Sequence, residues 1–118
     1  MTLLLEKKDI IPDIVTAGSE RVAVRIPNHK LTLDLLSKLT FPVAAPSANP
    51  FMSISPTKTI HVMDYFEGKL KFILEGGDCE KGIESTIIGF EDKDAVIYRS
   101  GSCDVVEIEK IVGKLILP

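Results

Sequence analysis

The chain has no tryptophan and only two cysteines, two histidines, five phenylalanines and two tyrosines among its 118 residues. Cys79 and Cys103 are far apart in the sequence, and His29 and His61 are isolated from one another. Neither pair has the spacing of a CxxC motif or of a Cys/His metal site, so we expect two free thiols and no metal ligand. The small number of aromatic side chains also argues against a surface on which single-stranded nucleic acid stacks.

Long apolar runs are absent as well. No stretch approaches the roughly 20 residues that a membrane-spanning helix requires, and residues 1–6 lack the basic start of a secretion signal. The formal net charge of −3 argues against a chain that coats nucleic acid along its whole surface. We therefore expect a cytoplasmic protein with no membrane partner.

What the chain does contain is typical of a soluble globular protein, with 45% hydrophobic and 26% charged residues. A domain of this length can bury roughly two thirds of the surface that its unfolded chain exposes. That burial is enough for a hydrophobic core without a disulfide or a metal. We expect residues 1–118 to form a single domain.

Hydrophobic periodicity predicts strands and helices in a mixed order, which indicates an α/β or α+β sheet protein. Ser55 is the expected N-cap of one helix, with Pro56 at its first helical position. Asp104 and Glu107 have capping-box spacing before the last helix. Strands are expected at 2–6, 21–26, 41–45, 70–75, 87–88 and 95–98, with a hairpin turn at 91–94. Helices are expected at 12–16 (one turn), 30–39, 55–66 and from 105 onward. The apolar face of the last helix comprises Val105, Ile108, Ile111, Val112 and Leu115.

Arginine is used sparingly, at Arg21, Arg25 and Arg99 only. Arg21 and Arg25 are expected on the same face of the strand at 21–26, whose other face is apolar. This face is either an ordinary solvated surface or the lining of an anion-binding cleft, because a planar guanidinium suits carboxylate and phosphate. Arg99 follows an apolar strand, where it is either a charged hairpin end or a further anion ligand. Both readings stay open for all three arginines.

Small polar residues follow the predicted strand at 41–45, in the segment 45–49 (APSAN). A second polar segment includes Ser55, and Ser85 with Thr86 precedes a later strand. Ligands of α/β proteins bind beyond the carboxyl ends of the strands, where such residues present hydrogen-bond donors. Proline, serine and asparagine are equally common in ordinary turns and caps, so a purely structural role remains open for each segment.

The polar candidates are hydroxyls, amides and guanidinium groups, without a nucleophile–histidine–acid set. This inventory suits the binding and orientation of an anionic ligand such as a nucleotide. We therefore name no catalytic residue and expect any catalysis to rest on positioning and electrostatics.

Five regions of the chain, in this order, resemble the YrdC-type threonylcarbamoyl-AMP synthase family. They are residues 22–27 (VAVRIP), 44–49 (AAPSAN) together with 55–57 (SPT), 73–79 (ILEGGDC), 82–87 (GIESTI) and 99–101 (RSG). The resemblance covers nearly the whole chain. It implies a YrdC-like twisted mixed sheet with flanking helices around a concave ligand cleft.

The family forms threonylcarbamoyl-adenylate from L-threonine, bicarbonate and ATP, and the product serves the threonylcarbamoyladenosine modification of tRNA. By resemblance, Arg25 and Ser85 hold L-threonine beside the backbone of Ala45. Mg²⁺ is expected to accompany ATP and to neutralise the departing pyrophosphate. The positions that fall on the ATP side are Ser47, Asn49, Ser55 and Arg99, with Arg21 at a neighbouring position.

The family's domain also has an N-terminal part with a basic motif that grips ATP and completes the threonine pocket, and residues 1–118 resemble only the remainder of that domain. We therefore expect this chain alone to bind ATP weakly and to have little or no synthase activity. A second hypothesis is that a partner chain or self-association supplies the missing part. The alternatives are a non-catalytic RNA-binding YrdC-like module and a carbamoyl-adenylate-handling domain of the HypF type.

Overall fold

The computed structural model describes residues 1–118 and contains four strands and four helices. None of the helices is both long and apolar enough to cross a membrane. In chain order the elements are β1 (Thr2–Glu6), α1 (Asp13–Thr16), β2 (Arg21–Val24), α2 (Lys30–Leu36), α3 (Thr59–Tyr65), β3 (Ile87–Glu91), β4 (Asp94–Arg99) and α4 (Val105–Val112).

The four strands form one mixed sheet in the order β2-β1-β3-β4. β1 runs parallel to β3, and the two outer pairs are antiparallel. The register places Thr2 of β1 opposite Ile87 on one side, and Arg99 of β4 opposite Ile87 on the other. Thr2 and Arg99 therefore flank the start of β3, directly after the segment that contains Ser85. The mixed α/β class expected from the sequence is confirmed.

The chain divides into two compact units. The sheet unit comprises Met1–Asn28 and Glu84–Pro118 and contains all four strands, α1 and α4. The loop unit comprises His29–Ile83 and contains α2 and α3 within long irregular segments. The single domain expected from the sequence stays a prediction.

The hydrophobic core of the sheet unit forms where α4 packs against the sheet. α4 begins at Val105. The side chain of the preceding residue Asp104 accepts a hydrogen bond from the Val106 N–H at 2.8 Å, which confirms this aspartate as the N-cap. The helix ends at Val112, earlier than its apolar pattern predicted. Leu115 is nevertheless buried, because the following residue Ile116 pairs with β4. The core comprises Ile88, Ala95, Ile97, Ile108 and Leu115, with Leu3, Cys103 and Val105 packed against it.

β2 and α2 are also shorter than predicted. β2 ends at Val24, because its ladder with β1 covers only the four residues of the strand. Arg25 therefore lies beyond the strand, and the expectation that Arg21 and Arg25 share one strand face is wrong. α2 ends at Leu36, after which the N–H groups of residues 38 and 39 bond to carbonyls three positions earlier, so the chain continues as a tighter turn.

Two predicted strands are wrong. Residues 41–45 and 70–75 form neither helix nor strand, although both segments are rich in apolar side chains. Phe41 is 63% exposed and Phe72 is 91% exposed. A strand is stable only where a neighbour accepts its backbone hydrogen bonds and packs against its side chains, and the loop unit contains no strand.

The helix α3 begins later than predicted. Its N-cap is Lys58, so Ser55 is not the N-cap and Pro56 is not the first helical residue. The carbonyl of Thr57 instead accepts a hydrogen bond from the Cys79 N–H at 2.8 Å. This tertiary bond holds the segment before Lys58 in a conformation outside the helix.

A polar cluster crosses β2, β3 and β4 in the sheet unit. The Tyr98 hydroxyl donates to Glu91 Oε1 at 2.7 Å, and Arg21 Nη1 donates to the Tyr98 oxygen at 2.6 Å. The hydrogen bond to Glu91, together with desolvation, raises the pKa of Tyr98, and Arg21 opposes this rise. A Cβ at Gly89 would lie 2.8 Å from the Tyr98 ring, so the absence of a side chain at this glycine makes room for the ring.

We expect Tyr98 to titrate above the pKa of about 10 that an unperturbed tyrosine shows. Because the folded-state pKa is raised, the Tyr98 proton stabilises the fold below the unfolded-state pKa, and this contribution is lost as the pH rises through the folded-state value. The chain has two tyrosines, so in a Tyr65→Phe background the ultraviolet absorbance titration reports Tyr98 alone. Glu91→Gln should lower the midpoint, and an unchanged midpoint would contradict the assigned cause.

Candidate ligand-binding site

The Ser85 hydroxyl lies at the centre of a second polar cluster in the sheet unit. Thr2 Oγ1 lies 2.9 Å from Ser85 Oγ, and Arg99 Nη2 donates to the same oxygen at 3.0 Å. Arg99 Nε also donates to the Ser85 carbonyl at 3.0 Å. Because Thr2 and Arg99 flank the start of β3, the register of the sheet itself brings these three side chains together.

The third nitrogen of Arg99 forms an ion pair with Glu84, with 2.8 Å between Nη1 and Oε2. The guanidinium is thus directed at residues 84–85 through all three nitrogens. The Arg99 side chain is 39% exposed and the Glu84 side chain is 56% exposed, so a soluble anion can reach both. Such an anion would compete with the Glu84 carboxylate for the guanidinium.

Gly101 and Thr86 fix the backbone around Ser85. A Cβ at Gly101 would lie 2.4 Å from the Glu84 carbonyl oxygen and 2.5 Å from backbone atoms of Ser85 and Thr86, so no side chain fits there. Thr86 is fully buried, and its hydroxyl accepts a hydrogen bond from the Cys103 N–H at 3.0 Å. These contacts give the Ser85 hydroxyl a defined position.

The other two arginines of the sheet unit differ in their contacts. The Arg21 guanidinium is bonded to Tyr98 and lies 3.8 Å from Glu91. Arg25 is exposed and forms no hydrogen bond or ion pair within residues 1–118. The Arg25 guanidinium is therefore available to an anion, whereas Arg21 would first have to leave Tyr98.

The loop unit contains the remaining predicted site residues, all in irregular chain. Ala45 and Ser47 are exposed and Ser55 is half-buried, and neither serine hydroxyl has a hydrogen-bond partner within residues 1–118. Asn49 Nδ2 donates to the Ser53 carbonyl at 2.9 Å, which closes the 49–53 turn. Asn49 Oδ1 is buried without a partner. The predicted site residues of the loop unit thus include two hydroxyls without a partner and one buried, unsatisfied acceptor.

The structure brings Ser85 and Arg99 into direct contact, although they lie in separate segments of the sequence. Sequence reasoning missed Thr2 and Gly101 as parts of this cluster. Thr2 is a polar residue before three leucines, which is a signal that could have identified it. Nothing in the local sequence shows that Gly101 packs on residues 84–86. The structure contains no group of three or more His, Cys, Asp or Glu side chains that could hold a metal ion, and both cysteines are free thiols.

Comparison with known proteins gives three findings. Residues 1–101 match the Sua5/YciO/YrdC family model, which is described as "Telomere recombination". The threonylcarbamoyl-AMP synthases of Pyrococcus abyssi and Bacillus subtilis are each 40% identical, over 115 and 116 residues, and each alignment covers 98% of this chain and 34% of the relative. The crystal structure of P. abyssi Sua5 complexed with L-threonine matches with a TM-score of 0.92 and 39% identity, over 99% of this chain and 34% of that chain. This chain therefore spans about a third of the length of these relatives.

Proposed function

We propose that this chain, which belongs to the Sua5/YciO/YrdC family, carries part of a threonylcarbamoyl-AMP synthase site. Such a site forms threonylcarbamoyl-adenylate from L-threonine, bicarbonate and ATP, and the product serves tRNA modification. The observation that carries the proposal is the Ser85–Arg99 cluster, in which a hydroxyl and a guanidinium lie side by side within reach of solvent. The identity to two threonylcarbamoyl-AMP synthases supports it.

Arg25 and Ser85 would hold L-threonine. The exposed guanidinium of Arg25 presents parallel N–H donors that match the two oxygens of the substrate carboxylate. The Ser85 hydroxyl adds a further donor, and the backbone of Ala45 is the third contact that the family resemblance implies. These groups form no covalent bond with the substrate; they orient the amino acid for reaction.

ATP would contact the hydroxyl, amide and guanidinium groups on the nucleotide side. Hydroxyl and amide groups suit sugar and phosphate oxygens, and Arg99 supplies positive charge to a phosphate. None of these residues is a carboxylate, so Mg²⁺ would be held by the phosphates of ATP, where it neutralises the charge on the departing pyrophosphate. The residues are Ser47, Asn49, Ser55 and Arg99, with Arg21 at the neighbouring position.

NMR titration of the isotope-labelled chain with L-threonine and with Mg–ATP tests the binding. We expect weak binding of both, with L-threonine shifting the amide signals around Ser85 and Arg25. A second assay measures pyrophosphate release, and we expect little or none, since the chain spans only 34% of its synthase relatives. A chain that does not respond to L-threonine would overturn the proposal. Turnover that requires both L-threonine and bicarbonate would overturn the expected inactivity alone.

The same samples separate the two alternatives. Carbamoyl phosphate that supports turnover in place of L-threonine and bicarbonate would indicate a carbamoyl-adenylate activity of the HypF type. Salt-sensitive RNA binding without nucleotide binding would indicate an RNA-binding module.

We also propose that the active form includes a partner chain or a second copy of this chain. Large apolar side chains are exposed in both units, with Ile14 at 90%, Phe51 at 95% and Phe72 at 91%. Removing large apolar side chains from water favours association. Gel filtration tests this, because a compact monomer at micromolar concentration would count against the need for a partner.

Glu84→Gln is expected to strengthen ATP or pyrophosphate binding by about 3- to 5-fold, because an exposed ion pair contributes up to about 1 kcal/mol. The substitution removes the carboxylate that pairs with Arg99 but keeps its shape, so a phosphate no longer competes with an internal anion. Glu80→Gln changes the net charge equally at an exposed glutamate and is the control. Equal affinities of the two variants would show that Glu84 does not compete.

A further inference from the structure

The Ser85 hydroxyl has two lone pairs and one proton, and its neighbours decide which of these a ligand meets. Arg99 Nη2 can only donate, and it occupies one lone pair at 3.0 Å. Thr2 Oγ1 lies 2.9 Å from the same oxygen, and either hydroxyl can be the donor in that pair. When Thr2 donates, both lone pairs of Ser85 are occupied and the Ser85 proton is left for a ligand.

We infer that Thr2 is a positioning residue, which makes Ser85 a hydrogen-bond donor toward the carboxylate of bound L-threonine. The inference rests on the proposed function and deepens it. A hydrogen bond from Ser85 to a carboxylate is charge-assisted, and it is stronger than one from Ser85 to the neutral Thr2 hydroxyl. Binding of the substrate carboxylate therefore favours the arrangement in which Thr2 donates to Ser85 and Ser85 donates to the carboxylate. In this arrangement the hydrogen bond from Thr2 polarises the Ser85 hydroxyl and strengthens its bond to the carboxylate.

The location of Thr2 suits this role. Thr2 is 9% exposed, and its N–H donates to the Thr86 carbonyl at 2.8 Å, so its backbone is tied to the residue that follows Ser85. Its hydroxyl has no other partner within residues 1–118. A buried hydroxyl is favourable only when it is hydrogen-bonded, so the contact with Ser85 accounts for a polar residue at the start of an apolar strand.

The opposite arrangement suits a different ligand group. If Ser85 donated to Thr2, it would offer a lone pair and select a donor such as the substrate ammonium. The Arg99 guanidinium lies 3.0 Å from Ser85 Oγ, and its positive charge disfavours an ammonium at that position. The cluster therefore favours an anionic acceptor at Ser85.

A double-mutant cycle on the full 118-residue chain tests the inference, with L-threonine affinity measured by NMR titration. Thr2→Val removes the hydroxyl but keeps the size and β-branching of the side chain, and Thr2→Ser restores the hydroxyl. We expect Thr2→Val to weaken L-threonine binding by about 5- to 10-fold, the range of one net hydrogen bond, and Thr2→Ser to stay within about twofold. ATP affinity should not change in either variant. In a Ser85→Ala background, Thr2→Val should have no further effect.

Each outcome is decisive. Equal L-threonine affinity of Thr2→Val and the unsubstituted chain would overturn the inference while leaving the proposed function intact. If Thr2→Val weakened L-threonine binding equally in the unsubstituted chain and in the Ser85→Ala background, the inference would also be overturned. Thr2 would then affect binding through the stability or shape of the protein and not through the Ser85 hydroxyl. An unsubstituted chain that does not bind L-threonine would overturn the proposed function itself. If circular dichroism shows that Thr2→Val does not fold, Thr2→Ala compared with Thr2→Ser makes the same comparison.

Discussion

Arg25→Ala is expected to weaken L-threonine binding by about 100-fold, equivalent to about 2.7 kcal/mol, without changing the melting temperature. The loss is large because a guanidinium that pairs with a carboxylate contributes two charge-assisted hydrogen bonds. The melting temperature should be unaffected because Arg25 is exposed and its side chain forms no hydrogen bond or ion pair within residues 1–118. NMR titration gives the affinity, and thermal unfolding followed by circular dichroism gives the stability.

Two variants make the Arg25 result specific. Arg25→Lys keeps the charge but loses the planar fork, so its affinity should fall between that of Arg25→Ala and that of the unsubstituted chain. Lys8→Ala removes the same charge from another exposed position of the sheet unit and should leave the affinity unchanged. A loss in Lys8→Ala equal to that in Arg25→Ala would mean that net charge, and not a specific contact, governs binding.

Gly101→Ala is expected to reduce the free energy of unfolding by about 3 kcal/mol. The added Cβ would lie 2.4–2.5 Å from backbone atoms of residues 84–86, and backbone cannot rotate away as a side chain can. Small domains are stable by about 5–15 kcal/mol, so this loss is a large fraction of the total. The displaced segment contains Ser85, so L-threonine binding should weaken as well. Urea denaturation measures the stability.

Ser100→Ala is the matched control for Gly101→Ala. Ser100 is the neighbouring residue and is exposed, so its truncation should change the unfolding free energy by less than about 0.5 kcal/mol. A Gly101→Ala chain as stable as Ser100→Ala would show that segment 84–86 can move aside at little cost. The close packing of Gly101 would then not be what positions Ser85.

The sequence predicted the elements of the sheet unit well. β1, the β3–β4 hairpin and α4 have apolar patterns of the correct period, and β3 pairs with β4 as expected. On the apolar face predicted for α4, Ile108 and Leu115 are buried, whereas Ile111 is 86% exposed. In the loop unit the sequence predicted both helices but failed at 41–45 and 70–75, which carry strand-like residues and form no strand. Residue type measures how well a segment suits a sheet, and it does not show whether a neighbouring strand is present.

The roles of the candidate site residues stay predictions, and the structure shows how these residues are arranged. Ser85 and Arg99 were identified separately, and the structure shows that they touch. Arg21 and Arg25 were placed together on one strand, whereas one is bonded to Tyr98 and the other is exposed beyond the strand. Thr2 was not identified at all, because its role depends on a residue 83 positions away.

The sequence by itself determined the α/β class, the family and the residue types that can bind an anionic substrate, because periodicity and ordered motifs are local properties of the chain. Only the tertiary structure decided which of those residues cooperate. The parallel pairing of β1 with β3 and the antiparallel pairing of β3 with β4 bring Thr2 and Arg99 to Ser85. The close contact of Gly101 holds that serine in place. Strand register and backbone contact join residues far apart in the chain, and no local pattern specifies them.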